Sequence, residues 1–136
     1  MKVIVCIDDG NGMLFNKRRQ SRDRVLTENL LNMVGEENLY IAPFSALLFE
    51  NANKEVIIDD NCLDKATANE YCFIENKKLA PYKDKITSLI VYKWNRRYPT
   101  DTYFDLDLAA LGFKLTSSEE FAGYSHEKIT KETYRK

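Results

Sequence analysis

Histidine is the scarcest reactive residue in this sequence, because His126 is the only one among 136 residues. Catalytic zinc sites usually need several His, Cys or carboxylate ligands that converge, so His-rich zinc hydrolases are excluded. A Ser-His-Asp triad could form only around His126, and no nucleophile-elbow motif occurs there. We therefore expect His126 to be an ordinary surface or strand residue.

Cysteine is also scarce: Cys6, Cys62 and Cys72 lie on apolar segments without Cys-x-x-Cys spacing. An odd number without a pairing pattern predicts reduced, buried thiols. Long hydrophobic runs are missing as well, since none approaches the roughly 20 residues that span a bilayer. The apolar N-terminal run ends at Asp8, too early for a signal peptide. We expect a cytoplasmic protein with no membrane partner, and the oligomeric state stays open.

The common glycine-rich phosphate motifs, the P-loop and G-x-G-x-x-G, do not occur in the chain. Gly10-Asn11-Gly12 follows a predicted strand, but ordinary turn chemistry explains two glycines there at least as well as phosphate binding does. The acid pairs Asp8-Asp9 and Asp59-Asp60 also follow predicted strands. Solvated turn carboxylates are more common at such places than Mg²⁺ ligands, so we predict no metal site.

Apolar residues recur with strand and helix periods along most of the chain, which is 44% hydrophobic and 30% charged. The predicted strands are Val3–Ile7, Leu39–Ala42, Glu55–Ile58, Tyr71–Ile74 and Ile86–Trp94. The predicted helices are Val25–Val34, a short helix from Pro43 to about Glu50, and a turn over Lys77–Tyr82. Ser21 is predicted to cap the first helix and Gly35 to end it.

Strands that alternate with helices predict a three-layer α/β/α fold with a mostly parallel central sheet. Val3–Ile7 and Ile86–Trp94 are apolar at nearly every position, which is typical of strands covered on both faces, so both should lie near the middle. The C-terminal segment differs. Within Phe113–Tyr134, polar and apolar residues alternate around a turn near Gly123, which predicts a terminal antiparallel hairpin.

The segment Asp8–Arg24 joins the first strand to the first helix, and its first part, Asp8–Gln20, is predicted to be a long loop. Ligands of α/β proteins bind at this end of the strands. Residues 17 to 24 carry a net charge of +4, whereas the whole chain carries −1. A basic surface on an acidic body favours an anionic ligand. The candidate ligand residues here are Asp9, Lys17, Arg18, Arg19, Arg22 and Asp23.

A second candidate surface combines aromatic residues with Arg96 and Arg97. The aromatic residues are Tyr92, Trp94, Tyr98, Tyr103 and Phe104. Such interleaving can stack on the bases of single-stranded nucleic acid. At this spacing along a long strand, however, core and rim positions are the more common explanation.

Taken in order, these segments resemble dihydrofolate reductase. In that family a substrate-binding carboxylate lies in the first turn of the first helix, and Asp23 in Arg22-Asp23-Arg24-Val25-Leu26 matches it. Leu89–Trp94 followed by Pro99–Phe104 resembles the strand that precedes the family's Gly-Asp-Thr-x-Phe-Pro segment. Leu79–Asp84 resembles the leucine- and proline-containing helix just upstream. The resemblance covers nearly the whole chain and implies one reductase-like domain over residues 1–136, as in a short, divergent bacterial member.

The departures from the family concern the nicotinamide cofactor. A glycine pair that admits the cofactor is replaced by Glu75-Asn76-Lys77, and the Gly-Arg-x-Thr helix start that holds its phosphate is replaced by Ala42–Ala46. Lys17-Arg18-Arg19 stands for a Pro-Trp pair in the mobile loop, and Tyr92 stands for a threonine that steadies the substrate carboxylate. Hydride transfer depends on a well-held cofactor. The resemblance therefore implies the fold and argues against the activity, and we expect no cofactor.

Three interpretations follow. The first is a non-reductase protein that binds an anionic small molecule, a nucleotide or RNA through loop 17–24, with Tyr92 as a further ligand residue. The second is a divergent NADPH-dependent reductase with Asp23 as its catalytic acid. The third is a structural or interaction protein on which the basic run is only solvated. A zinc nuclease such as ribonuclease Z is excluded, because it needs a His-x-His-x-Asp-His motif.

Overall fold

The computed structural model describes residues 1–136 and contains a seven-stranded and a three-stranded sheet. In chain order the elements are β1 (Lys2–Ile7), β2 (Gly12–Phe15), β3 (Arg18–Arg19), α1 (Arg24–Val34), β4 (Leu39–Ile41), a 3₁₀ helix (Pro43–Phe49), β5 (Ile57–Ile58), α2 (Cys62–Lys65), β6 (Tyr71–Phe73), a second 3₁₀ helix (Ala80–Tyr82), β7 (Ser88–Lys93), β8 (Thr102–Tyr103), β9 (Lys114–Phe121) and β10 (Ile129–Arg135). None of the helices is both long and apolar enough to cross a membrane.

The large sheet has the strand order β5-β4-β6-β1-β7-β10-β9. Strands β5, β4, β6, β1 and β7 run parallel to one another, whereas β10 runs antiparallel to both β7 and β9. The mostly parallel sheet and the C-terminal hairpin are therefore confirmed. The predicted central position of β1 and β7 is also confirmed, because each has a strand on both sides.

Separate apolar clusters cover the two faces of this sheet. Ile4 of β1 packs on one face with Leu26 and Leu30 of α1 and with Phe49. Successive strand residues point to opposite faces, so Val3 and Val5 join the other cluster, together with Leu63, Leu79 and Phe113. The strands between these clusters are buried on both sides, as their continuous apolar runs predict.

The small sheet, with the order β3-β2-β8, occupies much of the segment that was predicted as a loop. That prediction is wrong because the turn between β2 and β3 is unusual. Asn16 and Lys17 both have positive φ angles, 51° and 61°, as a two-residue hairpin turn of type I′ requires. Lysine is a rare choice there and gives no hairpin signal. The pairing of β2 with β8 joins residues far apart in the chain.

Asp8, at the end of β1, holds the small sheet against the large one. Its buried carboxylate accepts hydrogen bonds from the backbone N–H groups of Gly10 (2.9 Å), Gly12 (2.7 Å) and Tyr98 (3.0 Å) and from Thr100 Oγ1 (3.1 Å). Burial raises the pKa of Asp8, but the donors from Tyr98, Gly12 and Gly10 outweigh it and hold the pKa below its ordinary value. The expectation of a solvated carboxylate is therefore wrong for Asp8.

The second acid pair and two of the three cysteines have the exposure that the sequence predicts. Asp59 and Asp60 lie near the surface and pair with Lys65 and Lys77. No group of three or more His, Cys, Asp or Glu side chains converges as metal ligands would. The cysteines are all free thiols; Cys62 and Cys72 are buried, as predicted, whereas Cys6 is only partly buried.

We predict that Gly12→Ala lowers the free energy of unfolding by about 1–3 kcal/mol, the usual cost of overpacking. A Cβ at Gly12 would overlap the Thr100 side chain and lie 2.7 Å from Gln20 Nε2. Gly10→Ala is the control, since its Cβ would meet the flexible Arg97 guanidinium at 3.1 Å and Asp8 Oδ1 at an ordinary contact distance of 3.6 Å, and it should cost no more than about 0.5 kcal/mol. Urea unfolding measures both, and equal losses would contradict the Asp8-centred arrangement.

Candidate functional site

A narrow cleft opens at the carboxyl edge of β1 and β6, between α1 and the 3₁₀ helix Pro43–Phe49. Its polar lining consists of Arg19, Gln20, Ser21, Arg22, Asp23, Thr27 and Glu75, and its apolar lining of Cys6, Met13, Leu26, Leu30, Leu48, Phe49, Phe73 and Trp94. The free volume is about 20 Å³, which is enough for a single water molecule. The cleft is therefore a slot and has no room for a bound ring system in this conformation.

Asp23 caps α1 from the polar side of the cleft. Its Oδ1 atom accepts hydrogen bonds from the backbone N–H groups of Val25 (2.9 Å) and Leu26 (3.3 Å). These are donors that a helix leaves without internal partners. The prediction that Ser21 caps the helix is wrong, because Asp23 is the residue next to the first helical position, Arg24, whereas Gly35 ends the helix as predicted.

The loop between β9 and β10 closes over the same carboxylate. Asp23 accepts hydrogen bonds from the backbone N–H groups of Tyr124 and Ser125, both at 2.9 Å, from Ser125 Oγ at 3.2 Å and from His126 Nδ1 at 2.8 Å. The Asp23 side chain is 0% exposed. Both carboxylate oxygens are therefore fully used by the chain itself, and a ligand could reach them only if this loop moved away.

These contacts keep Asp23 ionised. Burial raises the pKa of the Asp23 carboxyl, but the donors from Tyr124, His126, Ser125 and Leu26 outweigh burial and hold the pKa well below its ordinary value. Arg22 and Arg24 flank Asp23 in the sequence, but the ion-pair partner of its carboxylate is His126. The Arg24 guanidinium instead lies over the Tyr124 ring, 4.3 Å from its centre.

His126 is buried, with 2% of its side chain exposed, so the expectation of an ordinary surface or strand histidine is wrong. Its Nε2 atom lies 3.1 Å from Ser21 Oγ and 3.0 Å from the Tyr98 hydroxyl. The imidazole stacks on Trp94 with 4.6 Å between ring centres. When Nδ1 carries the proton that is donated to Asp23, Nε2 is an acceptor. No sequence signal links these residues, because they lie on distant segments.

Arg19 and Glu75 form a second closed pair at the cleft. The guanidinium donates to both carboxylate oxygens, from Nε at 2.9 Å and from Nη2 at 2.8 Å. Ser45 Oγ also donates to Glu75, at 2.7 Å, and Arg19 donates to the Phe44 carbonyl at 3.0 Å. The hydrogen bond and charge of Glu75 raise the pKa of Arg19. Arg19 is therefore a structural partner of Glu75, although sequence reasoning grouped it with the ligand-binding arginines.

The remaining predicted site residues are spread over different surfaces. Lys17, Arg18 and Arg22 are exposed. Asp9 is exposed too, and its backbone N–H donates to the Arg96 carbonyl at 2.9 Å. Tyr92 is 0% exposed, and its hydroxyl donates to Asn29 of α1 at 2.7 Å. The structure thus brings Arg19, Arg22 and Asp23 to the cleft and leaves Asp9 and Tyr92 away from it.

The aromatic surface predicted around Arg96 and Arg97 is also divided. Trp94 is buried beneath His126, and Tyr98 is bonded to the same histidine. Tyr103 is the exposed member, at 56%. These rings therefore serve mainly as core and rim, the more common explanation given above.

A wider depression lies next to the cleft, beside the β2–β3 hairpin. Its volume is about 570 Å³, and it is lined by Phe15, Asn16, Arg18, Arg19, Gln20, Tyr98 and Pro99. Gln20 lines both this depression and the cleft. Its Oε1 atom is buried and has no hydrogen-bond partner. Sequence reasoning missed Gln20, since nothing in its local context marks it.

The orientation of the Gln20 amide follows from its neighbours. Three acceptors surround Nε2: Asp8 Oδ2 at 3.3 Å, the Pro99 carbonyl at 3.4 Å and Thr100 Oγ1. A flipped amide would place its oxygen against the Asp8 carboxylate, which is unfavourable. Oε1 is therefore a true acceptor that the chain leaves unpaired, and such buried groups usually have a partner.

Comparison with known proteins bears on the fold. No protein-family model matches the chain, and no curated protein matches its sequence. Among solved structures, dihydrofolate reductase from Enterococcus faecalis, in complex with NADP(H) and RAB-propyl, matches with a TM-score of 0.68 over 98% of this chain and 94% of that one, at 11% identity.

This match defines the structural class of the protein. The chain is an α/β protein whose sheet and helices follow one known architecture over almost their whole length. That architecture is the dihydrofolate reductase-like fold, as the resemblance implied. At 11% identity the likeness establishes the fold alone, because one fold supports many functions.

The Asp23 contacts predict a specific dependence of stability on pH. The folded-state pKa of Asp23 lies below its ordinary value, so its contribution is present above about pH 4 and is lost as the pH falls further. Asp23→Asn should cost about 3–5 kcal/mol at pH 7, as expected when one partner of a buried pair is removed. This difference from the wild type should shrink below about pH 4.

Urea unfolding at several pH values measures that difference. Asp84→Asn is the matched control, since Asp84 is exposed, and should stay within about 0.5 kcal/mol of the wild type throughout. A cost of Asp23→Asn that does not change between pH 7 and pH 3 would contradict the assignment.

Proposed function

We propose that this protein is a ligand-binding protein on the reductase scaffold, without reductase activity. Its ligand is an anionic small molecule of nucleotide size, and its site is the depression beside the β2–β3 hairpin. The observation that supports this most directly is that two residues with unused polar groups line the same depression. Arg18 forms no ion pair, and the buried Gln20 Oε1 has no partner.

The chemistry of the depression suits such a ligand. Its volume of about 570 Å³ falls in the range of small-molecule sites. The Arg18 guanidinium can hold a phosphate or carboxylate through two parallel hydrogen bonds. Gln20 Oε1 can accept a hydrogen bond from an amino or ring N–H group, and the 41% exposed Phe15 ring offers a face for a planar base.

Only part of the basic run is available for this role. Arg19 is held by Glu75, so Lys17 and Arg18 at the hairpin are the cations next to the depression. Arg22 and Arg24 line a different surface groove along α1. A free nucleotide needs only Lys17 and Arg18. An RNA strand long enough to reach the groove along α1 would contact Arg22 and Arg24 as well.

The reductase alternative has less support, because the residues present do not fit the nicotinamide cofactor. Glu75 stands where the resemblance implies a glycine pair, and its carboxylate is tied to Arg19 and Ser45. The Asp23 carboxylate is closed off by its own chain. The slot beside it holds about 20 Å³, far less than a pterin ring needs.

We predict that Arg18→Ala weakens nucleotide binding about tenfold or more, since a hydrogen bond to a charged group contributes about 1.5–3 kcal/mol. Arg18→Lys should retain part of the affinity, because the charge remains but the two-pronged geometry is lost. Calorimetric titration with AMP, ATP and a short single-stranded RNA at two salt concentrations measures this. The salt dependence should flatten in Arg18→Ala.

Arg135→Ala is the control for that experiment. Arg135 is an exposed arginine at the end of β10, paired with Ser88 at the amino edge of the sheet, and its loss should leave binding unchanged. RNA binding that needs Arg22 as well as Arg18 would identify RNA as the ligand. If no compound binds, or if Arg18→Ala binds like the wild type, the basic run is only a solvated face.

We also predict no saturable NADPH binding at low micromolar concentration. The side chain of Glu75, with its two partners, fills space that the cofactor would need, and its negative charge opposes the phosphates. Fluorescence titration tests this, with the Enterococcus faecalis reductase as the positive control. Saturable binding with turnover of dihydrofolate would support the alternative in which Asp23 is catalytic.

A further inference from the structure

Ser21, His126 and Asp23 lie in the order of a nucleophile, a base and an orienting acid. Ser21 Oγ is 3.1 Å from His126 Nε2, and His126 Nδ1 is 2.8 Å from Asp23 Oδ2. We propose that Ser21 is a nucleophile in a hydrolytic site for esters with a short acyl group. This activity is separate from nucleotide binding at Arg18 and does not depend on it.

The buried carboxylate sets the tautomer that this chemistry needs. Asp23 is ionised and accepts from Nδ1, so Nε2 carries a lone pair, which lies within reach of the Ser21 and Tyr98 hydroxyls and can take the Ser21 proton. The backbone N–H groups of Tyr124 and Ser125 fix the carboxylate from the other side, and Trp94 fixes the plane of the imidazole. Asp23 is thus a positioning residue, and His126 is the general base.

Ser21 is also accessible, unlike its two partners. It is only partly buried and lines the cleft. The backbone N–H groups of Ser21 and Arg22 make no hydrogen bond within the chain. Such donors, on the nucleophile and the residue after it, are of the type that stabilises the oxyanion formed during acyl transfer. The site therefore offers a nucleophile, a base and candidate oxyanion donors on one segment.

The reaction is balanced without any additional reagent. Ser21 Oγ attacks the ester carbonyl carbon while its proton passes to His126 Nε2. The bond from that carbon to the alcohol oxygen breaks, and the alcohol leaves with the proton from Nε2. Water then attacks the acyl-Ser21 carbonyl and gives a proton to Nε2. The carboxylic acid departs, and Ser21 Oγ takes the proton back.

The cleft limits the substrate. Its free volume of about 20 Å³ admits only the terminal methyl group of a short acyl chain, so the ester carbonyl and the alcohol part would stay at the mouth of the cleft. The apolar residues Leu26 and Leu30 form part of the lining, which favours a methyl group over a polar one. Longer acyl chains would require the lining to move, so we expect acetate esters to react faster than butyrate esters.

Tyr98 is the one group that competes with Ser21 for the base. Its hydroxyl lies 3.0 Å from Nε2, and a single lone pair cannot accept fully from both hydroxyls. Removing the Tyr98 hydroxyl leaves Ser21 as the sole donor to Nε2. Tyr98→Phe should therefore react faster than the wild type.

The test uses the full chain, p-nitrophenyl acetate and a fluorophosphonate probe, with the labelled residue located by mass spectrometry. We expect the label on Ser21. Ser21→Ala and His126→Gln should each react about a hundredfold more slowly, the lower end of the contribution of a general base. Ser118→Ala, an exposed serine on β9, is the control and should react like the wild type.

Thermal unfolding of each variant shows whether it is folded. If His126→Gln does not fold, the rate of Ser21→Ala and the position of the label are sufficient to test the proposal. Ser21→Ala that reacts at the wild-type rate, a label on another residue, or loss of the reaction in a folded Tyr98→Phe would each overturn the proposal. Failure here would leave the Arg18 titrations unaffected, because Ser21 does not line the depression.

Discussion

A carboxylate that is shut off from water has to be bonded on all sides by its own chain, because an unpaired buried charge is very costly. Asp23 meets this requirement with six donors: two from the first turn of α1 and four from the loop that ends β9. The helix start and the C-terminal hairpin are thereby joined at one point. His126, Ser21 and the shape of the cleft all depend on that junction.

The junction occupies the carboxylate at the start of α1. The Asp23 carboxylate, for which the resemblance implied a substrate-binding role, faces a histidine of its own chain. Glu75 and Arg19 close the neighbouring space in the same manner, by pairing with each other. The polar groups that remain accessible lie at the edges of this region: Arg18 and Gln20 beside the depression, and Ser21 at the cleft next to His126. We propose ligand binding at Arg18 and Gln20 and ester hydrolysis at Ser21.

The agreement between sequence and structure has a physical pattern. The central strands and α1 follow from apolar periodicity, which burial enforces residue by residue. The β2–β3 hairpin was missed because its turn uses Asn16 and Lys17 in positive-φ conformations. Asp23 was correctly placed at the helix start, but its surroundings were not. Tyr92 matched a ligand position in the resemblance, yet packing of β7 against α1 buries it.

The sequence by itself determined the central strands, α1, the parallel sheet and the C-terminal hairpin, because these depend on local apolar periodicity. The tertiary structure alone decided which charges remain free. Asp23 meets His126 across 103 positions of the chain, and Arg19 meets Glu75 across 56. Hydrogen bonds between such distant residues leave no local pattern, so only the folded chain shows that the two acids are occupied and that Arg18, Gln20 and Ser21 remain available.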